Sequence, residues 1–310
     1  MTIREATHND IPEILKVLKA SLGETSSRKN EEIWRYKHIN NPFGKSLVLV
    51  AEENSKLLGV RAFMRWQWQK GDELFSAFRA VDTATHPEHQ GKGIFKKLTL
   101  QALEIGKENG DHFVFNTPNS QSKPGYLKMG WKSLGRVKIR VRMTNPRIWS
   151  SKSKKIEKSY GRLEILEKTL DSWNQRMQRS DKFFTQKSSD YLDWRYLKNP
   201  LLDYYVDMSE DCFFAGHIKE HSKVRELRIS ELIFDSDMKK KEVKKKVLEL
   251  AKQSGANVIT YSGNINYHLF HSEMTAGIGP ELTFKALANI NPDLFDQISW
   301  AYSLGDLELF

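Results

Sequence analysis

The stretch Thr85-His-Pro-Glu-His-Gln-Gly-Lys-Gly-Ile-Phe-Lys-Lys-Leu98 holds the residues whose types and spacing point most directly to chemistry. A run with strand character, Phe78–Thr85, ends in a glycine-bearing turn. The turn opens an amphipathic helix, because Ile94, Leu98, Ala102 and Ile105 recur at helical spacing. The first N–H groups of such a helix have no intrahelical partner, and with the helix dipole they form an anion site suited to a pyrophosphate. Gly91 and Gly93 carry no Cβ and let the backbone close on a ligand. Neither Gly-x-x-x-x-Gly-Lys-Ser/Thr nor Gly-x-Gly-x-x-Gly occurs, which excludes a Walker loop and argues against a Rossmann turn.

The elements that must position this turn are legible on either side. Ile3–Ile14 reads as a strand running into a helix, with Thr7 or Asn9 as cap and Pro12 in the first turn. Ser46–Ala51 and Leu57–Trp68 read as strands around the polar turn Glu53-Asn-Ser55, and His112–Asn116 as a fifth strand after the helix. Downstream lie Asn119 and Gly125-Tyr-Leu-Lys-Met-Gly-Trp131.

Gln90-Gly-Lys-Gly-Ile-Phe95 resembles the coenzyme A loop of the GNAT acyltransferases, Gln/Arg-x-x-Gly-x-Gly/Ala, and Tyr126 to Trp131 is similar to the family's Tyr-x-x-x-Gly-Phe signature. Phe95 stands where the family usually has Gly or Ala, and its ring must find room. The likeness covers residues 1–142. It implies an α/β fold of the α+β mixed-sheet kind and acetyl-CoA as cosubstrate, with no metal. The coenzyme would be held by Gln90, Gly91, Lys92, Gly93, Ile94 and Phe95, with strand amides around Ala84 and Thr85 on the pantetheine arm. Asn119 would contact the pantetheine or serve as a turn residue. The thioester would lie between splayed fourth and fifth strands. Tyr126 takes the family's place for the proton donor to the departing thiolate, and Asp82 a place where many members carry a carboxylate that acts as base. Glu24, Glu31 and Glu32 fall in the segment expected to border the acceptor.

The second half repeats the first. Trp34-Arg-Tyr-Lys-His-Ile-Asn-Asn-Pro42 recurs as Trp194-Arg-Tyr-Leu-Lys-Asn-Pro200, and Leu103–Asn116 parallels Leu248–Tyr261 without a gap. Extending that alignment sets Asp235–Lys240 against Gln90–Phe95, where both glycines are gone and two carboxylates have arrived. Gly277 matches Gly130, but no tyrosine matches Tyr126. The expected organisation is two tandem GNAT-like domains: 1–145 with the intact loop, a polar linker over 146–160, and a degenerate copy over 161–310 that is structural or walls the acceptor pocket. The repeated Trp-Arg-Tyr reads as helix packing, or as Arg35 facing an anionic acceptor. Trp300–Asp306 reads as a final strand and turn.

Composition fits a soluble enzyme. The chain has 310 residues, 39% hydrophobic, and no apolar run of membrane-spanning length. No signal-type segment opens it, and Cys212 is its single cysteine, so a cytoplasmic setting is expected. His86 and His89 lack a third metal ligand in the sequence. The net charge of +10 suits an anionic coenzyme. Part of it sits in Met238–Lys246, where Val243, Val247 and Leu250 mark the lysines as a solvated helix face. Trp66 and Trp68 alternate along a strand, which favours packing or an acceptor pocket over a base-stacking platform, and nucleic acid is not an expected partner. The expected reaction is transfer of an acetyl or other short acyl group from acetyl-CoA to an amine of a small-molecule acceptor. The alternatives are a non-catalytic acyl-CoA sensor and an aminoacyl transferase on the doubled fold.

Overall fold

A computed structural model describes residues 1–24, 28–149, 163–222, 224–234, 239–264, 268–289 and 292–307. The first half runs β1 (Thr2–Glu5), α1 (Ile11–Leu22), α2 (Glu31–His38), β2 (Leu47–Glu53), β3 (Lys56–Lys70), β4 (Glu73–Thr85), α3 (Ile94–Glu108), β5 (Phe113–Asn116), α4 (Lys123–Lys128), β6 (Lys132–Arg136) and β7 (Ile139–Met143). The second runs α5 (Glu167–Gln178), α6 (Ser189–Leu192) with a π-helical turn at Asp193–Leu197, β8 (Tyr205–Ser209), β9 (Cys212–His221), β10 (Val224–Phe234), α7 (Lys239–Ser254), β11 (Val258–Ser262), β12 (Met274–Ala276), β13 (Glu281–Ala286) and α8 (Leu304–Leu307). Apolar residues of α1 and α3 recur on one stripe and are buried, whereas β3 buries residues on both faces along much of its length.

Two mixed sheets result. Their strand orders are β1-β2-β3-β4-β5-β13-β6 and β8-β9-β10-β11-β7-β12. Apart from β1 the two read alike, with a parallel pair (β4–β5, β10–β11) followed by antiparallel partners. The halves are thus two tandem copies of one fold, and each gives its last strand to the other's sheet. A cut at 145 divides the chain but not the sheets, because β7 belongs with the second half. The exchange follows from the link between β6 and β7. Val137 and Lys138 carry the chain straight on, Val137 pairing with Gly279 and Pro280 of the returning ribbon and Lys138 with Gly263 just after β11.

Where the ribbons cross, a Cβ on Gly279 would lie 2.7 Å from Val137 Cβ and 2.8 Å from its carbonyl oxygen. Backbone cannot yield there as a flexible side chain would. Gly279→Ala is therefore expected to cost about 1–3 kcal/mol by overpacking, read from urea unfolding, and an unchanged midpoint would contradict the tight crossing.

The space between the sheets is filled by aromatic side chains. Trp66, Trp68, Phe115, Phe284 and Trp300 are fully buried, with Trp68 edge-on to Trp300 at 4.7 Å between ring centroids. Trp66 and Trp68 are therefore core residues, with no face left for a base. The repeated Trp-Arg-Tyr segments meet each other: Tyr36 stacks on Trp194, and each donates to the other's carbonyl at 2.9–3.0 Å. Arg35 lies on the outside, bonded to Glu31 and His8. Trp300–Asp306 forms no extended strand. It makes one bridge to Phe183 and then buries the short α8, so the last strand is β13. Cys212 is buried, its thiol pushed up to about 12 by desolvation.

Candidate active site

β4 and β5 pair through only three rungs, Ala77–Phe113, Phe78–Val114 and Arg79–Phe115, and then part. The cause lies in β4. Asp82 sits at φ +37°, and the register against β3 slips there from Ala62–Val81 to Arg61–Thr83, so one extra residue bends the strand. Beyond the bulge, His86 N–H bonds to the Leu58 carbonyl at 2.8 Å. Bonded pairs alternate in an antiparallel ladder, so Ala84 also spends its N–H on β3, at Val60, while the N–H groups of Thr83 and Thr85 turn into the gap. Of the two expected strand amides, Thr85 faces the gap and Ala84 does not.

A cavity of about 720 Å³ follows this gap and is lined by Asp82, Ala84, Thr85, Gln90, Gly91, Gly93, Ile94, Phe95, Asn119 and Tyr126. Lys92 is the one expected contact outside the lining; its Nζ lies 3.3 Å from His89 Nδ1. Gly91 and Gly93 adopt φ +77° and +74°, the left-handed region that costs an L-residue about 1–2 kcal/mol. Gly93 is the N-cap of α3 and a Cβ there would meet open space, so the conformation rather than crowding calls for glycine. Phe95 tucks its ring beneath α4, edge-on to Tyr126 at 5.5 Å, and a Cβ on Gly125 would lie 3.1 Å from that ring. Its amide remains in the first turn of α3. The free N–H groups of that turn suit a diphosphate.

Tyr126, only 3% exposed, lies at the inner end of the cavity. Its phenol oxygen accepts a 2.7 Å hydrogen bond from Arg61 Nη1. Arg61 is fully buried on β3, and its Nε and Nη2 have no hydrogen-bond partner among the described residues. The guanidinium also sits against the rings of Phe63, Tyr126 and Phe95, at 4.6, 5.2 and 5.8 Å. Sequence reading passed over Arg61, although an arginine between the apolar Val60 and Ala62 inside a strand is a sign of a buried cation.

Asp82 reaches the cavity already paired. Its Oδ2 is held by Lys37 Nζ and by His38 Nε2, the latter at 3.0 Å. Burial pushes its carboxyl up, but Lys37 and His38 outweigh this and hold it well below the usual carboxylate range. Burial in turn lowers His38, against the pull of Asp82. A carboxylate so stabilised is a weak proton acceptor, so this geometry does not support Asp82 as the base. Asn119 caps its own turn, accepting from Ser122 N–H and Oγ, both at 2.9 Å.

The turn Pro87–His89 brings Glu88 beside His86 and His89, with ligand atoms within 4.8 Å of one another. The two histidines therefore have the third neighbour that the sequence did not reveal. The Lys92 ammonium beside His89 opposes a cation there. The second copy's counterpart of the loop, Asp235–Met238, lies outside the described residues. Among the described residues no helix is long and apolar enough to cross a membrane.

Known proteins share this fold. Residues 2–134 match the family model of the Acetyltransferase (GNAT) domain. A 79-residue segment is 32% identical to the L-amino acid N-acyltransferase MnaT of Escherichia coli, spanning 24% of this chain and 42% of that protein. The fold of the whole chain resembles a GCN5-related N-acetyltransferase from Anabaena variabilis (TM-score 0.65, 13% identity, 93% of this chain and 73% of that one). It also resembles a probable N-acyltransferase from Enterococcus faecalis (TM-score 0.65, 12% identity, 92% and 72%) and Eis1 from Mycobacterium abscessus (TM-score 0.57, 14% identity, 92% and 73%). With its loop, its parted strands and the match over residues 2–134 in agreement, the N-terminal half of the chain is similar to the GNAT acetyltransferase domain, and the whole chain shares its fold with these GNAT proteins.

Proposed function

We propose that the N-terminal copy transfers an acetyl, or other short acyl, group from acetyl-CoA to the amine of a small-molecule acceptor. The observation that carries this reading is one cavity running from the Gly91–Phe95 turn, along the parted strands, to the Tyr126 phenol. The turn would hold the diphosphate, and the Thr83 and Thr85 amides would hold the pantetheine arm and polarise the thioester carbonyl. The neutral amine attacks the acyl carbon, the C–N bond forms and the C–S bond breaks. Tyr126 gives its proton to the departing thiolate, and the proton shed by the new amide nitrogen passes through solvent to restore the phenol. The likeness to the Escherichia coli L-amino acid N-acyltransferase supports an amine as acceptor.

Binding and turnover test it separately. Acetyl-CoA at a hundredfold excess over its Kd is expected to raise unfolding stability by about 2.7 kcal/mol. Gly93→Glu, which places a carboxylate and a strained φ at the diphosphate, should abolish that increment. Persistence of the increment in Gly93→Glu would move the coenzyme elsewhere. Absence of thiol release across a panel of amines would remove the transferase reading.

A further inference from the structure

Thr117 walls two cavities at once. One is the coenzyme cavity; the other, of about 480 Å³, is lined also by Val137, Ile139, Ile218, Leu304 and Leu307. Val137, Ile139, Leu304 and Leu307 belong to the core between the sheets, whereas Ile94 and Tyr126 belong to the core beneath α3 and α4. The two cavities therefore lie on opposite faces of the first sheet and meet where β4 and β5 part. At that junction Thr117 Oγ1 is buried and has no hydrogen-bond partner among the described residues. A buried hydroxyl left unpaired is costly, and a bound polar group relieves it.

The charges restrict what fits. Asp82 is the single carboxylate lining the first cavity and Glu220 the single one lining the second. Asp82 is held by Lys37 and His38, and Glu220 accepts from Arg225 Nε at 2.7 Å. A polyamine or an amino-sugar antibiotic carries several ammonium groups, each of which needs a counter-charge that these walls do not offer. Lys219 and Arg228 also line the second cavity and repel further ammonium groups, while Val137, Ile139, Ile218, Leu304 and Leu307 give it an aliphatic wall.

We infer that this second cavity, built from both copies through their exchanged strands, receives the body of the acceptor, and that the acceptor is a monoamine with an apolar alkyl or aryl body whose N–H donates to Thr117 Oγ1. This rests on the acyl-transfer reading above. The volume falls within the range of small-molecule sites. Donation to Thr117 leaves the nitrogen lone pair free to meet the thioester across the strand gap.

Thiol release by the full chain with acetyl-CoA should give a kcat/KM for phenylethylamine about tenfold or more above those for spermidine and glucosamine. Ile218→Trp, which fills the cavity from the second copy, should lower kcat/KM for phenylethylamine by about tenfold or more. The Kd for acetyl-CoA should stay unchanged. Thr117→Val, nearly isosteric, should raise the phenylethylamine KM about three- to tenfold. Preference for spermidine or glucosamine in the unmutated protein would overturn the inference and leave the transferase reading standing. So would an Ile218→Trp variant that binds acetyl-CoA and turns over phenylethylamine as before. Bound acetyl-CoA with turnover of no amine would overturn both.

Discussion

Tyr126→Phe is expected to lower kcat by about 10²–10⁴-fold, the range for loss of a positioned acid, with acetyl-CoA affinity unchanged. The ring contacts that hold the side chain, Phe95 at 5.5 Å and Trp131 at 5.1 Å, survive in phenylalanine, so the loss is one of chemistry. The direction of the proton follows from the donor inventory. A guanidinium has no acceptor, so in the 2.7 Å contact with Arg61 the phenol oxygen receives the hydrogen bond and its own hydrogen is left for the cavity. The same contact holds the phenol oxygen in place at the cavity. Arg61→Met should therefore slow turnover in the parent background and do little more in Tyr126→Phe, a coupling that a double-mutant cycle reads directly. Independent, additive losses would show that Arg61 acts on folding alone. Full kcat in Tyr126→Phe would end the assignment of the acid, whereas acetyl-CoA binding with no turnover in the parent protein would mark a coenzyme-binding sensor.

The loop was legible because its cause is local. A glycine in the left-handed region, a helix start and an apolar stripe are all written within fifteen residues, and Gly93, Ile94 and Leu98 behave as their spacing requires. The doubling was legible as well, since Trp34-Arg-Tyr and Trp194-Arg-Tyr align by eye. Partnership across the sheets was not. Nothing along Ile139–Met143 names the strand it pairs with, and a two-residue link after β6 reads equally as a hairpin or a crossing. Asp82 shows the same limit from the other side. Its place in β4 was readable, but its state is set by Lys37 and His38, forty-odd residues earlier on α2. Thr117 carries no motif at all; only the meeting of two cavities at its orphaned hydroxyl gives it meaning.

Lys187→Met is expected to cost about 3–5 kcal/mol, the usual price of leaving buried charge without its partner. Lys187 Nζ lies 2.7 Å from Glu231 Oε2 and 2.9 Å from Asp306 Oδ1, and all three side chains are almost fully shielded from solvent. Tyr191 donates to Asp306 at 2.8 Å, and Tyr196 and Ser303 donate to Glu231 at 3.0 Å. Burial opposes the charged lysine, yet the two carboxylates more than compensate and its pKa is raised; Glu231 is pushed up by burial against the pull of Lys187. Without the ammonium, two carboxylates share a dry site, and one must bind a proton in the folded state at a pH where its unfolded counterpart, near 4, has lost it. A group with a higher pKa folded than unfolded contributes fully below the unfolded value and loses that contribution as pH rises through the folded one. The deficit of Lys187→Met against the parent should therefore be larger at pH 8 than at pH 5, measured by urea unfolding at each. The same cluster fixes the walls of the second cavity. Asp306 accepts from Ser303 N–H at 2.8 Å, and Arg79, in the last rung before β4 and β5 part, donates to the carbonyls of Asp306 and Leu307. Loosening it should release Leu304 and Leu307, so at temperatures where the variant is still folded its acceptor KM should rise before its acetyl-CoA Kd does. A deficit below about 1 kcal/mol, or one that does not change with pH, would mean that this ion cluster is not what pins the end of the chain between the two sheets.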